Sequence, residues 1–278
     1  MAGNMETKEL TIAINGYRSP ELLRLCLQSI AEHMPGSGIA YETIVTDSAT
    51  EEDTEMLMRE EFPHVRFFPF AKNVGFKTMV NKSLEEAYGR YIFLINSDII
   101  LTADAVPQML EYLKAHPDIG MVSPKQLNFN ETLQPSCFRF YRLLTILYRR
   151  TWLGTLPSAK RHLDWFTMAK YDKQMPKSVD WVMGSAILVS RMAVERVGPM
   201  DKRFYMYMED VDWCRRFWEN GYKVVYYPKV SVYHYHGKGS AKGGFFGSLF
   251  FNRLTWYHIK SAVQYFWKYW GKPLPHVE

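Results

Sequence analysis

With 278 residues, 47% of them hydrophobic, the chain can bury a substantial core and is long enough for one large domain or two smaller ones. A formal charge of +5 and a pI of about 8.9 suit anionic nucleotides, anionic lipid surfaces or nucleic acid without choosing among them. Cys26, Cys137 and Cys214 lack disulfide or metal-ligand spacing and fit a reducing compartment, residues 1–9 lack the apolar stretch of a secretory signal, and no run reaches the roughly 18 to 20 apolar residues of a membrane span, so a soluble or peripheral cytoplasmic protein is expected.

Strand and helix signals alternate from the start. Residues 10–14 form a short apolar run ending at Asn15-Gly16, and Ser19-Pro20-Glu21 then offers an N-cap, an N1 proline and a first-turn acid. Leu22, Leu23, Cys26, Leu27 and Ile30 fall on one helical face. A second strand over 43–46 stops at Asp47, a charged helix runs to Glu60, and a third strand covers 65–68. Lys72 to Phe76 is a loop and 77–87 a helix; 91–95 is strongly strand-like and stops at Asn96-Ser97-Asp98. Short strands separated by helices predict right-handed βαβ units on a mostly parallel sheet, whose ligands sit beyond the carboxyl ends of the strands. Asn15, Asp47 and Asn96 to Asp98 are therefore expected to share one crevice.

Further on, the pattern predicts a helix over 102–115 with Asp104 in its first turn, and a strand over 119–123. From 125 to 176 the periodicity weakens while Arg, Tyr and Trp accumulate, which reads as a partly helical excursion. A strand over 179–190 around Gly184, a helix over 191–197 and two strands over 223–227 and 230–236 follow. Between them, Tyr205-Met206-Tyr207-Met208 is suited to lining a pocket and leads into Glu209, Asp210 and Asp212 at a helix start. Carboxylates are commonplace there, because free N–H groups and the dipole favour negative charge. Their company argues for more: the strand-ending Asp47 and Asp98, and His234 with His236, which point the same way along one strand, suit a metal and a phosphate-bearing ligand.

The order of these features resembles a family 2 glycosyltransferase of the GT-A fold, in the rhamnosyltransferase-like branch. The residues that carry the resemblance are Thr11 to Tyr17, Val45-Thr46-Asp47-Ser48, Asn73-Val74-Gly75-Phe76, Leu94 to Asp98, Trp181 to Ala186, Gly198 to Phe204, Glu209 to Asp212 and Val232 to Gly237. The resemblance implies an α/β Rossmann-like sheet flanked by helices, with a nucleotide-binding part over about 10–123 and an acceptor-binding part over 124–240. Residues 241–278 are then a C-terminal segment of amphipathic helices.

By the same resemblance, Asp47 accepts from the nucleotide base, and Asn15, Tyr17, Asn73, Gly75, Phe76, Asn96 and Ser97 complete the nucleotide site. Asp98 matches the metal-binding acid of an Asp-x-Asp motif whose first position is here Asn96. Mg²⁺ or Mn²⁺ suits such oxygen ligands, with His234, or alternatively His236, as a further ligand. Asp210 matches the general base that deprotonates an acceptor hydroxyl in an inverting displacement. A helix N-terminus is expected to hold it ionised and so weaken it as a base. Trp181, Gly184 and Glu209 fall where relatives bind the acceptor, and Asp212 is expected to pair with Arg215 or Arg216. For Asp47 and Asp98 a turn role, and for Trp181 and Gly184 a packing role, are open beside these.

The tail over 245–270 mixes Phe, Trp and Tyr with Arg253, Lys260 and Lys268, which fits a membrane interface, packing on the domain or a homodimer contact equally. The reading is an inverting, metal-dependent transferase. It moves a sugar, L-rhamnose from dTDP-L-rhamnose in preference to a UDP-hexose, onto a glycan or polyprenyl-diphosphate-linked acceptor. The enzyme would be peripheral on the cytoplasmic face of the membrane, with no nucleic-acid partner. A non-catalytic anion- or membrane-binding protein is the alternative from another class; it leaves Asp47, Asp98 and Asp210 without a purpose.

Overall fold

The computed structural model describes residues 8–171, 174–235 and 253–277. The N-terminal half runs β1 (Leu10–Tyr17), α1 (Pro20–His33), β2 (Tyr41–Ser48), α2 (Glu52–Glu60), β3 (Arg66–Phe70), α3 (Phe76–Glu86), β4 (Tyr91–Asn96), β5 (Ile99–Ile100), α4 (Ala105–Ala115) and β6 (Ile119–Leu127). The excursion holds β7 (Leu133–Gln134), β8 (Cys137–Phe138), α5 (Leu143–Arg150) and α6 (Pro157–Phe166). It is followed by β9 (Lys177–Ser178), β10 (Trp181–Val182), β11 (Ala186–Ser190), α7 (Arg191–Val197), α8 (Glu209–Glu219), β12 (Lys223–His234) and α9 (Arg253–Lys268).

The main sheet has the order β3-β2-β1-β4-β11-β6-β12-β5, with β7 on β6 and β9 on β12. Its first four strands are parallel neighbours, as the alternation of strands and helices predicts. Their side chains divide by the period of two: Ile12, Ile14, Phe93 and Ile95 enter the core under α1 and α4, while Ala13, Ile92 and Leu94 enter the one under α3 and α8. A strand buried on both faces has no need of polar alternation, which is why these runs are apolar throughout.

Several boundaries differ from expectation. The run over 179–190 is two strands, because Met183 N–H donates to Ser136 O and the chain turns at Gly184, where a Cβ would lie 2.9 Å from the Phe76 ring. The second of these, β11, is antiparallel to both β4 and β6, so the sheet changes sense in its middle. The strands over 223–227 and 230–236 are one strand, β12, with a register shift between Tyr227 and Ser231 around Pro228. The helix over 102–115 begins at Ala105, after Asp104 in the left-handed region at φ 59°. Ser19 makes no capping hydrogen bond; its hydroxyl lies 3.2 Å from that of Ser97.

Candidate active site

A cavity of about 420 Å³ opens at the carboxyl ends of β1 and β4 and is lined by Asn15, Tyr17, Asn73, Gly75, Phe76, Asn96, Ser97 and Asp98. These residues come from three separate stretches, and parallel pairing of β1 with β4 brings the first and last together. Asn15 is committed internally: its amide donates to Ile95 O, and its carbonyl accepts from Thr46, so it ties β1 to both neighbours. Asn73 folds its own loop, accepting from Gly75 N–H at 3.0 Å and from Tyr205 OH at 3.0 Å. Gly75 sits at φ 77° with its Cα against Tyr205 O, where any side chain would be strained and would clash.

Met206 lines the cavity from the stretch suited to a pocket wall, whereas sequence reasoning missed Ser19, Ser48 and Tyr235, which also line it. Ser48 had a signal, since it follows the strand-ending Asp47; its hydroxyl accepts from Val74 N–H and fixes the Asn73 loop. Asp47 itself is buried beside Gly16, between two cavity-lining residues, with Oδ2 unpaired. Burial raises its pKa, so a donor N–H from a bound ring would be well received there.

Asp98 and His234 meet because β5 folds back on β12, pairing Ile99 with His234, and Tyr235 N–H donates to Asp98 O. Nε2 of His234 lies 3.5 Å from Oδ1 of Asp98. The other ring nitrogen, Nδ1, is 2.9 Å from Gln134 Oε1. The Gln134 amide donates to Asn128 Oδ1 and to His234 O, so its oxygen is the end that faces the ring and calls for a proton on Nδ1. In the neutral ring Nε2 then presents a lone pair toward a carboxylate oxygen, and Asn96 Oδ1 is a further buried oxygen without a hydrogen-bond partner. Facing acceptors of this kind fit a divalent cation, with the remaining positions left for phosphate oxygens and water. Among the described residues no group of three or more His, Cys, Asp or Glu converges on one point. His236 lies outside the described residues.

Asp210, the second residue of α8, is in contact with the Gly184 turn. Gly184 N–H donates to Oδ2 at 3.3 Å and Val211 N–H to Oδ1 at 2.9 Å. A Cβ on Gly184 would meet both Phe76 and Asp210, so three widely separated segments touch at this glycine. The expectation that the helix start depresses Asp210 is corrected: burial outweighs those hydrogen bonds and raises its pKa to about 6. Glu209 is buried with Oε2 unpaired, and burial together with the neighbouring Asp210 charge raises it to about 8. Tyr207 and Met208, just before, are both in the left-handed region at φ 68° and 65°. Such positions cost on the order of 1–3 kcal/mol each and persist only where surroundings hold them.

The holding element is the tail. On α9, Ser261 donates to Met206 O, Tyr257 packs on Tyr205 and His258 on Tyr207. Lys268 bridges Asp201 and the fully buried Asp212, which also accepts from Tyr269 and pairs with Arg216 at 3.0 Å. Trp181 is buried in a ring cluster with Phe138, Tyr141 and Phe166, and its indole donates to Arg139 O. It does not line the cavity, and its evident work is packing.

The model of the glycosyltransferase like family 2 matches residues 8–257. The chain belongs to glycosyltransferase family 2. Within that family it is 25% identical over 245 residues to the N-acetylglucosaminyl-diphospho-decaprenol L-rhamnosyltransferase of Mycobacterium tuberculosis, covering 83% of this chain and 77% of that one. The low-salt glycan biosynthesis hexosyltransferase Agl10 of Haloferax volcanii is 22% identical over 220 residues, 75% of this chain and 61% of that one. The rhamnosyltransferase WbbL of Escherichia coli is 32% identical over 87 residues, 31% of this chain and 30% of that one. Among solved structures, GalNAc-T7 with UDP, GalNAc and Mn²⁺ superposes with a TM-score of 0.62 at 14% identity, over 86% of this chain and 45% of that one. S. aureus TarS 1–349 superposes with a TM-score of 0.56 at 11% identity, over 81% and 60%. These likenesses establish the GT-A fold, and family membership makes the chain a glycosyltransferase.

Proposed function

We propose that this family 2 enzyme transfers L-rhamnose from dTDP-L-rhamnose, with inversion, to a hydroxyl of a polyprenyl-diphosphate-linked glycan, working peripherally at the cytoplasmic face of a membrane. The observation that supports the reading is the contact of the cavity-lining Phe76 with Gly184 and, through it, with Asp210, a half-buried carboxylate whose pKa is raised to about 6. The M. tuberculosis relative supports L-rhamnose as the sugar transferred and suggests an N-acetylglucosaminyl-diphospho-polyprenol as acceptor.

Asp47 would take the hydrogen-bond donor of the base, and the Asn73 to Phe76 loop would flank the nucleoside. Asp98 and His234 would hold Mg²⁺ or Mn²⁺, which when bound stabilises the charge of the departing diphosphate. The acceptor hydroxyl gives its proton to Asp210 as its oxygen attacks the anomeric carbon from the face opposite the leaving group. The Gly184 and Val211 N–H groups orient the carboxylate, and burial keeps it basic enough to accept. Glu209 positions the acceptor from the same turn.

The test is transfer by the purified chain from dTDP-L-rhamnose, UDP-glucose or UDP-N-acetylglucosamine to a polyprenyl-diphosphate N-acetylglucosamine, with and without Mn²⁺, read by mass and anomeric configuration. Inverted rhamnosyl product enhanced by metal is expected. Turnover with a UDP-sugar alone moves the donor to the hexoses, a reading the Agl10 match favours. No turnover with any donor overturns the proposed reaction.

A further inference from the structure

The outer face of α9 has no task in the proposed reaction. The inner face of this helix is committed, through Ser261, Tyr265 and Lys268, to the catalytic loop and α8. On the outer face Trp256 is 58% exposed, Val263 63%, Trp267 81% and, just past the helix end, Trp270 78%, with Lys260 exposed among them. Positions 256, 260, 263, 267 and 270 recur at intervals of three and four, so they form one stripe along the helix.

We propose that this stripe seats the enzyme on an anionic lipid surface, with the indoles at headgroup depth. The inference rests on the glycosyltransferase reading, and it names the surface at which the lipid-linked acceptor would be met. Indole combines an apolar body with one N–H, which suits the boundary between acyl chains and headgroups. Charge complementarity chooses the kind of surface: exposed Lys260 lies within the stripe and exposed Lys272 just beyond it, and from Asn220 to Val277 the sequence contains no Asp or Glu.

A second copy of the chain is a poorer occupant. The three indoles expose roughly 500 Å², short of the ~800 Å² per partner of a standard interface, and a two-fold pairing would set this basic segment against itself. Docking by the stripe also has a geometric use. The loop from Tyr205 to Met208 lies against the opposite face of α9, so the lipid surface would stand about 10 Å, one helix diameter, from a wall of the cavity.

The experiment is co-sedimentation of the full chain with vesicles of phosphatidylcholine alone or mixed with phosphatidylglycerol, using wild type and the double variant Trp267→Ser/Trp270→Ser. Both indoles are outside the core, so the variant should fold, and an unchanged melting temperature and nucleotide-induced shift would verify this. Wild type is expected on the mixed vesicles, less so in high salt, with partition reduced roughly tenfold or more in the variant. Wild type remaining in the supernatant with anionic vesicles, or a variant that binds as wild type does, would overturn the proposal. So would a wild-type dimer in sedimentation velocity that the variant abolishes. Loss of vesicle binding in the variant of a chain that shows no sugar transfer would leave this inference standing and remove the proposed reaction alone.

Discussion

Replacing Lys268 with Met keeps most of the side-chain volume and removes one charge from a place that needs it. The lysine is 12% exposed, donates to Asp201 at 2.7 Å and to Asp212, and so fastens α9 to α8. Removing one partner of a buried ion pair costs roughly 3–5 kcal/mol, and the lower end applies because Asp212 keeps Arg216 and Tyr269. For a chain of this size, about 3 kcal/mol corresponds to a melting temperature lower by on the order of 10 °C. The loss should depend on pH. Burial would raise Asp201, but hydrogen bonds from Arg203 and Lys268 outweigh it and hold the group below the ordinary value of 3.8. A depressed carboxylate contributes stability above its unfolded pKa and loses it as pH falls through the lower folded value, so the gap between wild type and variant should be full above about pH 4 and narrow progressively below it. Thermal unfolding followed from pH 3 to 8 checks both claims. A variant within 2 °C of wild type at pH 7, a threshold of roughly half a kcal/mol, would refute the idea that this contact anchors the tail.

Asp210→Asn should lower kcat by roughly 10²–10⁴ while leaving the nucleotide-induced thermal shift intact, and wild-type kcat/KM should rise with pH through about 6, as measured by steady-state rates. Glu209→Gln should be more stable than wild type at pH 8, by on the order of 4 kcal/mol, and about equal to it at pH 4. The sign follows from burial raising Glu209 to about 8: the folded state binds the extra proton between the two pKa values, so wild-type stability falls as pH rises across that window. Gly75→Ala should weaken nucleotide binding and lower stability by roughly 1–3 kcal/mol, because the residue is at φ 77° and a Cβ would lie 2.5 Å from Tyr205 O. Calorimetric titration with the nucleotide and a denaturant melt would read the two effects.

Much of the donor half was legible because local signals and global topology agree there. Apolar runs that end in Asn or Asp marked β1, β2 and β4, and their parallel pairing followed from the helices between them. That Asp98 and His234 belong together was suggested by their residue types and by the resemblance, but not how they meet, since a two-residue strand and a register 135 residues away bring them together. Nothing local marks Gln134, which orients the histidine from the least periodic part of the chain. The Asp210 environment was misjudged for a related reason: a helix start is visible in sequence, whereas burial beneath Phe76 and Gly184 is a property of three segments at once. The tail showed its aromatic and basic content, but not that one face of α9 is consumed by the Tyr205 to Met208 loop.

The reversed sense of β11 has a consequence for how such an enzyme changes its use. Because this strand runs against β4, its beginning abuts the end of β4, with Ala186 beside Ile95, and Ser185 O accepts from Asn96 N–H. The segment delivering the Gly184 turn therefore arrives at the cavity from the excursion side, through a junction of a few residues. Insertions or rewritten helices upstream of Trp181 would alter what the Gly184 turn presents without shifting the register of β1, β2, β3 or β4. If the reaction is the proposed one, the acceptor side could be rewritten along that seam while strands β1 to β4 keep their register.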